Sequence, residues 1–446
     1  MTAVKVKHAP AERIAHKIRT RTATIGVVGL GYVGLPLAEA FANCGFTVRG
    51  YDIDGTKVDS LRRNDSYIRH IGNDRIRSLM ATERFEPTND PDAFAGTDVV
   101  IICVPTPLTD AREPDLSYVI STGKMLARRL RPGQLVILES TTYPGTTEEL
   151  LQPILEQSAL AAGTDFFLAF SPEREDPGNP RYTTRTIPKV VGGINDASRD
   201  LAVELYSTVV KEVVPVSDAR VAEACKILEN TYRAVNIALV NELKVVFEAM
   251  NIDIWEVIQA ARSKPFGFQP FFPGPGLGGH CIPIDPFYLT WAARRVGVNT
   301  KFIELAGEVN TQMPHYVVQR TASALNAHGK PVKGASICVL GVAYKKNVDD
   351  PRESPAFTII EALEEMGAAV SYHDPFVPAL PPNRYAVHLS SQPLTKDFLN
   401  DQDCVVIVTD HSTVDYSFVV EHSRLIVDTR NATAGLSDPQ CQIFKA

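Results

Sequence analysis

Residues Thr24–Asp52 read TIGVVGLGYVGLPLAEAFANCGFTVRGYD. The β-branched run Thr24–Val28 predicts a short strand, Gly29-Leu30-Gly31-Tyr32-Val33-Gly34 a tight turn, and the apolar stretch as far as Cys44-Gly45 a helix. Phe46–Tyr51 predicts a second strand, closed by Asp52. In this setting the glycines permit the turn, close approach of a pyrophosphate and tight helix–strand packing, while the helix N-terminus favours phosphate. A G-x-G-x-x-G alone is a weak signal. Placed between strand and helix, with an acid ending the next strand, it indicates a dinucleotide. Asp52 would accept from ribose hydroxyls and repel a 2′-phosphate, so NAD is expected over NADP, with Lys57 among the nearby cations.

Strand and helix patterns then alternate, as a doubly wound parallel sheet requires. Asp98–Val104 ends in Pro105-Thr106-Pro107, Gln134–Glu139 in Ser140-Thr141-Thr142, and Phe166–Phe170 in Ser171-Pro172-Glu173-Arg174. Ligands of such sheets lie beyond the carboxyl ends of the strands, so these loops are placed to meet cofactor or substrate. Ordinary turn and N-cap residues, and for the acidic stretch a solvated loop, are the competing readings.

From about Val221 to Met250 there is neither Pro nor Gly, which predicts a long helix, apolar on several faces and buried between domains or subunits. Lys226, Asn230 and Arg233 form a polar stripe on it at i, i+4, i+7 spacing. A solvated face would explain the stripe, and so would a cation and an amide directed at an oxyanion or a water. Further on, FFPGPGLGGHCIPIDPFYLT (Phe271–Thr290) crowds Gly and Pro before Cys281, with Asp285 four residues later at the start of a helix. A thiol at a glycine-rich turn near a helix N-terminus is a candidate nucleophile, and a buried structural cysteine is the alternative. After a helix over Lys301–His328 the α/β rhythm resumes. A strand over Ala335–Gly341, a loop bearing Tyr344, Lys345, Lys346 and Arg352, a helix, and a strand Ala369–His373 ending in Asp374 repeat the first layout without its three glycines. A second Rossmann-like domain with no dinucleotide of its own is expected, its cations, with Arg430, suited to a nucleoside diphosphate.

The 446 residues exceed one ordinary core. A net charge of −7 leaves no basic field, which argues against nucleic acid, and no apolar run is long enough to span a bilayer. The seven cysteines are scattered, without CxxC pairs or His clusters at metal-ligand spacing, so a reducing cytoplasm and no metal are expected. The expected architecture is α/β, two Rossmann-like doubly wound domains joined by a long central helix. Residues 1–21 form a solvated tail, 22–216 the NAD-binding domain, 217–328 a central helical dimerisation region with the Cys281 loop, and 329–446 the C-terminal domain.

Taken in order, GLGYVGLPLA from Gly29, CVPTP from Cys103, ESTTYPGTT from Glu139, SPER from Ser171, the Lys226/Asn230 helix, GGHCIPIDPFYL from Gly278 and YKKNVDDPRESPA from Tyr344 resemble the UDP-glucose/GDP-mannose dehydrogenase family. Within it, SPEREDPGNP and PGPGLGGHCIPIDPFYL, including Arg174-Glu175 and His280, are similar to the branch that oxidises UDP-N-acetylglucosamine. The resemblance implies four-electron oxidation of a sugar C6 hydroxymethyl to a carboxylate with two NAD, through a thiohemiacetal and a thioester on Cys281. It implies catalytic roles for Cys281, Lys226, Asn230, Asp285, Glu173 and Thr141. Cofactor contacts are implied for Gly29, Leu30, Gly31, Tyr32, Val33, Gly34, Asp52, Lys57, Val104, Pro105, Thr106, Thr141 and Arg352. Substrate contacts are implied for Glu173, Arg174, Lys226, Asn230, Phe272, Gly276, Gly278, Tyr344, Lys345 and Arg430, the glycines being the backbone that lets the sugar reach the thiol. A UDP-sugar partner, a homodimer or higher homo-oligomer through the long helix, and a place in surface polysaccharide precursor synthesis follow from the same resemblance. The chain departs from the UDP-glucose branch at Pro265, where that branch has an arginine from the neighbouring subunit, and Arg262 is the expected substitute; Ile284 replaces a lysine of some members. The same chemistry on UDP-glucose, UDP-N-acetylgalactosamine or UDP-N-acetylmannosamine is the nearest alternative. A two-electron hydroxy-acid dehydrogenase and a non-catalytic nucleotide sensor are the more distant ones.

Overall fold

The computed structural model of the chain describes residues 9–68, 71–109, 113–174, 182–279, 282–380 and 387–446. The chain divides into two compact units, Met1–Glu229 with Phe287–Val298, and Asn230–Pro286 with Asn299–Ala446.

In the first unit, strands β1 (Thr24–Val28), β2 (Thr47–Tyr51), β3 (Phe85–Thr88), β4 (Val99–Ile102), β5 (Leu135–Leu138), β6 (Phe167–Phe170), β7 (Lys189–Gly193) and β8 (Val213–Pro215) form one sheet. Its order is β3-β2-β1-β4-β5-β6-β7-β8. β1 runs parallel to β2 on one side (Thr24 opposite Thr47) and to β4 on the other (Ile25 opposite Val99), so the strand order reverses at this point. The crevice at such a reversal is where doubly wound sheets take their ligands. β4, β5 and β6 are buried along their whole length, and they are the near-continuous apolar runs that a sheet covered on both faces needs. Only the β6–β7 pair is antiparallel among the ladders of this sheet.

The N-terminal segment departs from the solvated tail expected of it. Ala9–Arg19 is a helix whose Ile14 and Ile18, one turn apart, are buried in the core of the first unit. Lys17 and Arg19 lock it by ion pairs to Asp98 (2.7 Å) and Glu204 (3.0 Å). Two isoleucines at i, i+4 spacing suffice to dock a helix this short when the sheet offers a surface.

The second unit holds β9 (Ser336–Leu340), β10 (Ala369–His373), β11 (Cys404–Ile407), β12 (Leu425–Asp428) and β13 (Gln442–Lys445), all parallel, in the order β10-β9-β11-β12-β13. β9 is flanked by β10 and β11, so this sheet reverses direction as the first does at β1. The expected long helix is present as Ala219–Ala249, 31 residues, and it passes from the first unit into the second. A second long helix, Lys301–Ala327, lies in the second unit. Among the described residues no helix is long and apolar enough to cross a membrane.

Candidate active site

In the first unit the turn after β1 is built as the fingerprint requires. A Cβ on Gly34 would sit 1.8 Å from the Gly29 carbonyl oxygen, so the helix Gly34–Asn43 can start against the strand only with glycine there. A Cβ on Gly31 would meet nothing within 4 Å, leaving the crest of the turn open for a pyrophosphate. Asp52 is buried at the end of β2; it accepts from the Leu30 N–H (3.0 Å) and from Lys57 Nζ (3.2 Å). Lys57 thereby forms an ion pair with Asp52. Tyr67, not singled out by sequence, donates to the Leu30 carbonyl and carries Lys57 over its ring (5.9 Å). Tyr32 and Val33 lie between Gly31 and Gly34 on the same turn. These residues fit a dinucleotide.

The loops beyond β4, β5 and β6 come together in the same unit. Val104, Pro105 and Thr106 follow β4; the Thr106 hydroxyl donates to the Thr141 carbonyl (2.7 Å), and Ser140 Oγ donates to the Val104 carbonyl (2.7 Å). Tyr288, buried on the helix Asp285–Arg295, donates to the Thr106 carbonyl from 182 positions away. Beneath the loop, Glu139 is buried between Lys189 Nζ (2.7 Å) and the Tyr206 hydroxyl. Glu173 meets Lys226 Nζ at 3.4 Å, with Lys226 only 5% exposed, so the long helix supplies a cation to the loop after β6. Arg174 is held by Glu229 (2.6 Å) and donates to the Pro188 carbonyl (2.7 Å).

In the second unit Asn230 Nδ2 donates to Asp285 Oδ2 at 2.5 Å, and both residues are buried. The glycine-rich stretch nests against the loop after β9. Gly279, at φ +83°, receives Tyr344 where a Cβ would come within 2.8 Å of its ring, and its N–H donates to the Arg352 carbonyl (3.2 Å). Gly278 is likewise pressed on Tyr344 and the Glu353 carbonyl, and Gly276 on Pro314 and Pro355. This corrects the reading of these glycines as clearance for a sugar: the space freed by the missing side chains is taken by the chain's own Tyr344 and prolines. Phe272 stacks on Trp255 (5.7 Å, 14°). Arg352 is chelated by Asp350 on its own loop (Nε 2.8 Å), and the half-buried Arg430 donates from Nε to the Val408 carbonyl (2.9 Å). Lys345 lies half-buried beside Tyr344. Arg262 is tied to its neighbour Gln259 (3.1 Å). Cys281 and His280 lie outside the described residues, as does Glu175.

The strand-terminal Asp374 shows why the second sheet differs from the first. Its Oδ2 accepts from the N–H groups of Val342 and Ala343 (both 2.9 Å) and from His411 Nε2 (3.1 Å), and its Oδ1 accepts from Phe376 N–H (2.8 Å). Burial pushes its carboxyl up, but these donors outweigh it and hold Asp374 below the usual carboxylate range. His411 Nδ1 accepts the Asn347 N–H (3.0 Å), which fixes the proton on Nε2. An acid saturated by donors from three loops of the sheet has no capacity left for a ribose.

The described thiols narrow the choice of nucleophile. Burial pushes Cys338 up to about 12, Cys404 higher still and Cys441 to about 11; burial and then Glu229 raise Cys225. A thiol must ionise to attack, so these four are poor candidates.

Sequence reasoning missed Lys244, whose ammonium is buried without a hydrogen-bond partner among the described residues, 5.6 Å from the Tyr316 ring. It lies mid-helix among apolar neighbours, where no motif marks it. It is 3% exposed, and burial pulls it down to about 8 despite Glu248. The fold therefore binds this proton less well than the unfolded chain does, and the charged lysine is a net cost below about pH 8 that fades as pH rises toward the unfolded value. Lys244→Met is expected to raise stability by a few kcal/mol, on the order of the shift's equivalent, at pH 7, and by much less near pH 10. Urea midpoints of both proteins at the two pH values check it.

The NAD binding domain of the UDP-glucose/GDP-mannose dehydrogenase family matches residues 23–210, its central domain 220–312 and its UDP binding domain 338–435. The chain is 39% identical to protein CapL of Staphylococcus aureus over 352 residues, 78% of this chain and 81% of that protein. It is 37% identical to the UDP-N-acetyl-D-glucosamine 6-dehydrogenase of Pseudomonas aeruginosa over 362 residues, 80% of this chain and 83% of that one. The solved structure of a UDP-D-ManNAc dehydrogenase from Pyrococcus horikoshii superposes with a TM-score of 0.87 at 31% identity, covering 95% of this chain and 98% of that one. A glycine-rich dinucleotide turn in one unit and a saturated strand-end acid in the other agree with these matches, and the chain belongs to the UDP-glucose/GDP-mannose dehydrogenase family of NAD-dependent UDP-sugar dehydrogenases.

Proposed function

We propose that this enzyme oxidises UDP-N-acetylglucosamine at C6 to the uronate, in two steps, with Cys281 as the covalent nucleophile. The observation that carries the reading is the buried Asn230–Asp285 pair at 2.5 Å: an amide oriented against a carboxylate four residues after the thiol. A two-electron hydroxy-acid dehydrogenase accounts for Lys226 and Asn230 and has no use for Asp285 or Cys281. NAD, when bound, accepts the hydride in each oxidation. Gly29 to Gly34, Asp52 and the loops of Val104–Thr106 and Thr141 would hold it.

The chain's own groups then do the following. Lys226, desolvated beside Glu173, stabilises the alkoxide of the substrate and the oxyanion of each tetrahedral adduct. The Cys281 thiolate adds to the C6 aldehyde, which keeps it from leaving as a hydrate. Loss of the second hydride leaves a thioester, and water oriented by Asp285 and Thr141 adds to it, releasing carboxylate and thiol. Glu173 takes or relays the proton. Tyr344, Lys345 and Arg430 would hold the UDP-sugar, Phe272 would offer an aromatic face, and Arg174 and Arg352 complete the assignment. The N-acetylated sugar is supported by the motifs around Arg174 and His280 and by relatives named for 2-acetamido sugars.

The test is a panel of UDP-glucose and UDP-N-acetylated glucosamine, galactosamine and mannosamine, with NADH counted per sugar. Two NADH with UDP-N-acetylglucosamine preferred is the expected result. One NADH per sugar would overturn the four-electron reading, and preference for another sugar would overturn the substrate.

A further inference from the structure

Glu223 is a buried acid that this chemistry leaves unused. It is fully buried on the long helix, one turn before Lys226, and makes no ion pair among the described residues. Its carboxylate accepts from the Gly145 N–H (2.5 Å), the Thr147 N–H (2.9 Å) and the Thr147 hydroxyl (2.7 Å). These donors open the turn that ends the loop Ser140–Pro144, on which Thr141 stands. The other end of that loop is tied down by the Ser140 and Thr106 hydroxyls. Two of the donors are backbone N–H groups, one on each oxygen, so a carboxylate suits the site best and a glutamine would turn its own NH₂ toward one of them. We propose that Glu223 is a positioning residue: as a carboxylate it fastens the Gly145–Thr147 turn to the helix that carries Lys226, and so keeps Thr141 and Lys226 at a fixed separation through turnover. The proposal rests on the reading of those two residues as parts of the site.

A pH dependence follows. Burial pushes Glu223 up to about 7, against the pull of its hydrogen bonds to Thr147 and Gly145. Glu148, which pushes it further up, pairs with Arg220 of the long helix (2.7 Å), itself coupled to Glu223, and the adjacent Glu149 pairs with Arg220 (3.4 Å) and Arg295 (3.6 Å). Both glutamates are met by cations, so the titration is set mainly by burial and the three donors. Below about pH 7 the neutral acid accepts from the two N–H groups without charge assistance and the fastening loosens. Turnover therefore falls as pH drops through this value.

The experiment measures kcat against pH, together with amide exchange at Gly145 and Thr147 corrected for intrinsic rates, in the wild type, Glu223→Gln and Thr147→Val. Wild-type kcat is expected to fall below about pH 7 while exchange at the two amides rises. Glu223→Gln is expected to lower kcat roughly tenfold, the scale of one charge-assisted hydrogen bond, to leave KM for NAD unchanged and to lose the acidic limb. Thr147→Val, which removes one donor to the carboxylate, is expected to move the limb to higher pH. It also serves if Glu223→Gln fails to fold. If no UDP-sugar is oxidised by the wild type, the functional reading fails, and exchange alone decides whether the fastening exists. Exchange at both amides indifferent to pH and to either substitution would overturn the proposal, as would an acidic limb that both variants leave in place.

Discussion

Cys281→Ser is expected to abolish uronate formation, lowering kcat by roughly 10⁴- to 10⁶-fold, the range in which loss of a covalent nucleophile falls, while NAD still binds. The physical reason is the second oxidation. An aldehyde has no leaving hydride until a nucleophile has added to it, and a serine hydroxyl is almost wholly protonated where a thiol is partly ionised. Four of the other described thiols, Cys225, Cys338, Cys404 and Cys441, offer no substitute, since all are held up by burial. NADH counting and NAD titration on the variant check both halves. Uronate formed at the wild-type rate would remove the thioester from the mechanism.

Lys226→Met is expected to lower kcat by about 10²- to 10³-fold, the loss seen when one oxyanion donor is removed, with NAD affinity unchanged. Met keeps the apolar stem that packs along the helix and deletes only the charge, so the fold should be retained apart from the loss to Glu173 of its 3.4 Å partner. Lys226→Arg is not expected to rescue the rate, because a planar guanidinium does not reproduce a compact ammonium at a buried point. A fall in kcat smaller than about tenfold, or a change confined to KM for NAD, would assign Lys226 a structural role instead.

The elements of this protein were legible where their cause is local. The strand–turn–helix from Thr24 to Asn43, the long helix and the strands β2, β4, β5, β6, β9 and β10 fall within a few residues of the positions read from periodicity and from Gly and Pro placement, whereas β3, β7, β8 and β13 were not read. The strand-terminal acids Asp52 and Asp374 were equally visible, but the donors that each one meets were not. Asp374 is saturated by Val342, Ala343, Phe376 and His411, partners up to 37 positions away, whereas Asp52 stands over a turn whose crest is open. The glycines before Cys281 were read as room for substrate, and they prove to be room for Tyr344, because a bare backbone admits whatever the fold brings to it. The N-terminal helix was overlooked for the opposite reason: two buried isoleucines are too weak a pattern until a sheet is present to receive them.

The sequence by itself determined the family, the NAD-binding turn and the residue types that the chemistry needs, because each is written in a contiguous stretch where spacing sets backbone geometry. Only the tertiary structure decided which buried group serves which: Glu223 on Gly145 and Thr147, Tyr288 on Thr106, Glu139 on Lys189 and Tyr206, and Lys244 over the Tyr316 ring. These pairings join positions 50 to 182 residues apart. Their strength comes from desolvation, and burial is a property of the packed chain that no local stretch encodes.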